Sequence, residues 1–305
     1  MDPVASEERP ASDEVLPATR WLLSGFAVLT LLAVSQLLVL ADVADRYWGW
    51  TIHNELTAAF LGAAYAAGFV LSVVSLRQGD WSRIRVPLLT VTVFTWITAI
   101  ATVIHLHKLH LVTGGPFARL VAWVWVAVYL VIPLACVVVV ARQERRRVRP
   151  ENVVRPMAGW LTAVLAAEGV LLFTAGVTLF VSGATVHHHE PTTAAVFWPW
   201  ALMPLSAQVI GAWLIALGLA AALAIHQRDL SRLLVSGMTY TAFGFFQLVA
   251  VIWYWPQLSR HDAWLWAYLG LLVAIIATGA YGWWAARDVP RAGGRSSQAQ
   301  LSVPG

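Results

Sequence analysis

Apolar residues gather into eight long runs separated by short polar stretches: Trp21 to Ala41, Leu56 to Leu76, Val86 to Ile104, Leu120 to Ala141, Met157 to about Ser182, about Pro199 to Ile225, Leu233 to Trp253 and Trp264 to Ala286. Each is close to the roughly 20 residues that a helix needs to cross about 30 Å of hydrocarbon. Lipid offers no partner to backbone amides, and the runs lack the alternation of barrel strands, so the pattern predicts eight transmembrane helices. Only the fifth run contains an acidic or basic residue, Glu168.

Composition agrees. Of the 305 residues 59% are hydrophobic and 12% charged, with a mean hydropathy of +0.69, whereas a soluble domain carries about 25% charged residues. Sixteen Lys and Arg fall in the termini and alternate loops on one side, against Arg46, Lys108, Arg119 and Arg260 on the other. That bias predicts both termini in the cytoplasm. The net charge of +4 therefore reflects topology and gives no argument for nucleic acid. Residues 1–20 are acidic and lack a signal-peptide pattern. They read as a disordered cytoplasmic segment, as do residues 289–305 as a tail. Cys136, the single cysteine, excludes an intramolecular disulfide and a cysteine metal cluster.

Shifting the chain on itself by 149 residues aligns Thr57 to Phe94 with Ser206 to Phe243 without a gap, with 12 of 38 positions identical. Beyond that window Trp21-Leu22 matches Trp160-Leu161, Trp48-Gly49-Trp50 matches Trp198-Pro199-Trp200, and Ala122 to Trp125 matches Ala263 to Trp266. The fold class expected is all-α integral membrane: two parallel four-helix repeats, residues 21–141 and 157–288, joined by a basic linker, residues 142–156. Such repeats occur in transporters with midplane sites, and also in proteins that transport nothing.

Several residues could carry chemistry. A carboxylate near mid-bilayer, as Glu168 is placed, costs several kcal/mol unless paired, wetted or protonated. It is the candidate ion or substrate ligand, with Gln208 and Gln247 as uncharged companions, Gln36 and the threonines of the third run being others. The repeated Gln-x-Asp-x-Ser-Arg places Asp80, Arg83, Asp229 and Arg232 at the cytoplasmic mouth, either as helix caps or as a paired gate joining Asp80 to Arg232. Trp198, Trp200, Trp253 and Trp255 belong to five Trp-x-Trp pairs on the outer side, either an aromatic belt or an outer vestibule. Eight of nine histidines share that side. Among them His105, His107, His110, His187, His188 and His189 could hold Cu or Zn, or remain interfacial. Arg142 to Arg149 could bind anionic lipid. No Walker A, dinucleotide, Gly-x-Ser-x-Gly or His-Glu-x-x-His motif is present, so no catalytic residue is assigned.

Phe197 to Leu205 with Ile210-Gly211-Ala212-Trp213 resembles a segment of actinobacterial multi-pass membrane proteins with no known activity. The resemblance implies a bacterial plasma-membrane location and supplies no functional residues. Three functional classes stay open: transport or binding of a small solute or ion between the halves, an extracytoplasmic metal-binding or redox protein, and a scaffold for other membrane subunits.

Overall fold

The computed structural model describes residues 13–147, 155–185 and 197–287. Eight helices are long and apolar enough to cross a membrane: α1 Pro17–Val34, α2 Glu55–Leu76, α3 Trp81–Ile104, α4 Pro116–Arg145, α5 Gly159–Thr185, α6 Pro204–Gln227, α7 Leu233–Trp253 and α8 Ala263–Arg287. Among the described residues the architecture is all-helical. Helix α1 continues through a π-helical turn, Ser35–Val39. Several helices outrun their apolar cores because terminal polar residues cap or extend them: α4 begins at Pro116 and ends at Arg145.

Helices α2, α3, α6 and α7 form the centre, whereas α1, α4, α5 and α8 expose most of their surface. That exposed surface is apolar, as at Val131, Leu134, Val170, Leu171 and Val273. A continuous apolar exterior of this kind is stable against lipid and not against water.

Packing follows one scheme in both halves. The first helix of each half packs on the second and the third on the fourth. Across the halves α2 packs on α7 and α3 on α6. Two hydrogen bonds cross this interface reciprocally: Trp50 Nε1 donates to Ser206 Oγ (3.3 Å) and Trp200 Nε1 donates to Thr57 Oγ1 (2.9 Å). Gln247 Nε2 also donates to the Phe60 carbonyl, 3.0 Å, between α7 and α2. At the arginine-rich end, Trp81 N donates to Asp13 O (2.7 Å) and Leu230 N to Arg155 O (2.8 Å), so each leading segment is tied to the corresponding loop of its own half.

Glycine makes the halves differ. Gly169, Gly176 and Gly183 recur every seven residues on α5, facing Gly218, Gly211 and Pro204 of α6. A Cβ on Gly176 would lie 2.8 Å from Gly211 O, and one on Gly211 2.6 Å from Gly176 O. Glycine at such spacing lets two backbones touch. Helices α7 and α8 meet similarly through Gly237 and Gly279. In the first half, α1 has Thr30 and Leu37 at the positions aligned with Gly169 and Gly176, and neither α3 nor α4 contains a glycine. The first half is equally close at one level, where a Cβ on Gly62 of α2 would run into Leu38 N, yet it retains a large cleft beside Thr30.

Candidate functional site

Glu168 lies on α5 one residue before Gly169 and is 4% exposed. The close α5–α6 packing brings its carboxyl inward. Thr278 Oγ1 on α8 donates to Glu168 Oε1 at 2.9 Å. The Tyr240 hydroxyl of α7 lies beside the same carboxyl. Neither Glu168 Oε2 nor that hydroxyl completes a hydrogen bond of good geometry. Three helices of the second half thus converge on one carboxyl group that has unused hydrogen-bonding capacity.

Tyr240 and Thr278 line an adjoining cavity of about 60 Å³, with Thr90, Ser236 and Thr239 contributing further hydroxyls. The Ser236 oxygen is buried without a partner. Leu71 of α2, with Pro87 and Thr90 of α3, closes the cavity from the other half. Its size admits water or a small ion. Buried polar groups with unused capacity are costly, on the order of 1–3 kcal/mol each, and such a space would let a guest satisfy them.

A second and larger space, about 370 Å³, lies in the first half between the α1–α2 and α3–α4 pairs, with Trp213 of α6 in its wall. Its walls are aromatic and aliphatic. Tyr65 and Tyr129 contribute hydroxyls that bond each other at 2.8 Å. These two cavities lie mainly within a half. The interface between halves, where a solute site is expected from sequence, carries the Trp50, Trp200 and Gln247 hydrogen bonds and also a space of about 300 Å³ lined by Asn54, Glu55 and Thr57 of the first half and Met203, Ser206 and Gln257 of the second.

The other candidates are dispersed. Gln208 and Gln247 do not join Glu168: Gln208 Nε2 donates to Phe180 O, 3.1 Å, and Gln247 reaches Phe60. Asp80 caps α3 by accepting from Ser82 N, 2.8 Å. Asp229 accepts from Ser231 N and Oγ, and pairs with Arg232 of its own loop at 3.4 Å. Arg232 thus has its partner in its own loop, and of the two readings of these loops the structure shows the capping one and not the Asp80–Arg232 pair; Asp229 also accepts from Arg155 N, 3.3 Å, and Arg83 stays half-buried beside Asp80.

Trp198 and Trp200 are buried in mutual edge contact, and both pack on Phe60 and Tyr268. They are core residues and do not line an open vestibule. Trp253 is exposed, and Trp255 sits under the Arg260 guanidinium at 5.8 Å. Of the histidines, His105 is buried with Nε2 3.2 Å from Gly183 O, and His107 is exposed beside it. His110 has both ring nitrogens engaged, with Thr51 Oγ1 at 3.0 Å and Trp48 O at 3.2 Å. Among the described residues no three His, Cys, Asp or Glu side chains converge as a metal site. His187, His188, His189 and part of the Arg142 to Arg149 cluster lie outside the described residues.

No known protein family, no curated protein and no solved structure matches the chain.

Sequence reasoning missed Tyr240 and Thr278 as partners of Glu168, although a signal for them exists. The positions aligned with Glu168, Tyr240 and Thr278 in the first half are Leu29, Val91 and Val137. Three positions whose aligned residues are apolar thus carry polar groups that meet at one point.

Proposed function

We propose that this chain is an eight-span integral membrane protein of a bacterial plasma membrane, built from two parallel four-helix repeats with both termini cytoplasmic. In this reading it binds a proton or a small cation at Glu168 while moving a small solute or ion. The observation that carries it is the buried carboxyl held by Thr278 beside Tyr240, next to a cavity with unbonded hydroxyls. Burial of an ionisable group in a spanning helix costs several kcal/mol and is seldom retained without use. The reciprocal Trp50–Ser206 and Trp200–Thr57 bonds support the duplication, since a two-fold relation makes each contact occur twice. The arginine bias supports the orientation.

The test is flux into proteoliposomes under an imposed pH, Na⁺ or K⁺ gradient, followed with dyes for internal pH and membrane potential. The wild type should conduct one of these ions, Glu168→Gln should abolish the flux, and Tyr240→Phe should reduce it. A wild type silent to all three gradients, or an undiminished Glu168→Gln, refutes the reading.

A further inference from the structure

The large cleft of the first half has a chemistry of its own. Its walls carry a run of touching rings: Trp48 to Trp125 at 5.5 Å between centroids, Trp125 to Tyr129 at 4.4 Å, Tyr129 to Phe94 at 6.2 Å and Phe94 to Trp213 at 4.1 Å. Three lining residues own buried polar atoms with no hydrogen-bond partner: Gln36 Oε1, Trp48 Nε1 and Trp213 Nε1. Gln36 sits in the π-helical turn that ends α1, and such turns recur at functional sites. The cleft also reaches the outer surface of the bundle between α1 and α4. Leu32, Phe117, Leu120 and Val124 line it and are at the same time exposed. In a bilayer that opening faces lipid.

These features restrict the guest. It must be membrane-soluble, because the opening is lateral and apolar. An acyl chain would fill the space and leave two buried indole N–H donors unmet. A flat ring with carbonyl or hydroxyl oxygens would accept from the indoles, bond the Gln36 amide and stack on the aromatic wall. Along α1 the cleft extends from Phe26 to Gln36, roughly 15 Å at 1.5 Å per residue. That length takes a ring and the first units of a prenyl tail, and 370 Å³ lies in the range of small-ligand pockets. We infer that this cleft binds the head ring of an isoprenoid quinone or quinol, admitted between α1 and α4, with Gln36 and Trp48 holding a ring oxygen.

Saturable binding of a tritiated short-chain prenyl naphthoquinone to the full chain in lipid nanodiscs tests this independently of ion flux at Glu168. One site per chain is expected, displaced by unlabelled quinone and not by the same prenyl tail without its ring. Gln36→Leu, which keeps the bulk, and Trp48→Phe, which keeps an aromatic ring without the N–H, should each weaken binding about fivefold, the loss of one net hydrogen bond. Ala33→Phe should fill the cleft and abolish binding. Variants that remain monodisperse yet bind like the wild type overturn the inference. So does equal displacement by the ringless tail, which marks a lipid-chain cavity, or binding that does not saturate.

Discussion

Replacing Gly211 by alanine perturbs one of the closest helix seams of the structure by one methyl group. The new Cβ would stand 2.6 Å from Gly176 O and 3.0 Å from Phe180 N, both backbone atoms, whereas ordinary contact begins at 3.4 Å. The α5–α6 pair must therefore part by about 0.8 Å at that level. A gap of about 0.5–1 Å forfeits a quarter to a half of each dispersion contact beside it, and overpacking of this kind costs about 1–3 kcal/mol. Helix propensity acts the other way, favouring Ala over Gly by about 1 kcal/mol in water. Gly270→Ala isolates that opposing effect, since nothing lies within 4 Å of its Cβ. Unfolding by sodium dodecyl sulfate in mixed micelles, followed by tryptophan fluorescence, should show Gly211→Ala destabilised by about 1–3 kcal/mol and Gly270→Ala neutral or stabilised. Gly176→Ala combined with Gly211→Ala should be less than additive, because the second methyl enters a gap the first has opened. If Gly211→Ala unfolds at the same detergent fraction as Gly270→Ala, the close-approach account of the second half fails.

Gln143 is buried at the end of α4, where its Oε1 accepts from Leu16 N and Thr19 Oγ1, both at 3.1 Å, and its Nε2 donates to Glu14 O at 2.7 Å. Gln143→Leu should cost about 2–4 kcal/mol by stranding these groups, and limited proteolysis should cut ahead of α1 sooner; unchanged cleavage would count against the role given to Gln143. Tyr254, just beyond α7, donates to Asp42 Oδ1, and burial together with that acidic partner raises its pKa above the usual value of 10.0. A raised pKa favours the neutral phenol in the fold, so its stabilisation is complete below pH 10 and is lost as pH rises above that value. Thermal unfolding against pH should show an alkaline decline that Tyr254→Phe removes, and a decline of equal size in that variant would refute the assignment.

Much of the framework was legible in the sequence. Apolar runs gave eight helices because spanning segments must satisfy their own backbone, and the 149-residue shift located Asp80 and Asp229 in corresponding loops. Their partners were not legible. A short loop can cap its own helix or reach across the bundle, and only the observed bonds to Ser82, Ser231 and Arg232 decide between these. The Trp-x-Trp pairs show the same limit: indole suits both the interface and a core with a hydroxyl in reach, and Thr57 and Ser206 supplied the hydroxyls.

By itself the amino-acid sequence determined which segments are helical, which end of the bundle is rich in arginine, and that Glu168 is the sole acid or base within an apolar run. Those are properties of local composition, and they hold whatever the neighbours are. Tertiary structure alone decided which polar groups meet: Thr278 and Tyr240 with Glu168, and Gln36, Trp48 and Trp213 around an aromatic cleft. The physical reason is that in an apolar bundle nearly every helix face is compatible with every other. Contact is then set by backbone approach, close where Gly176 faces Gly211 and where Gly62 meets Leu38, and the large cleft of the first half lies beside Thr30, which stands where the second half has Gly169.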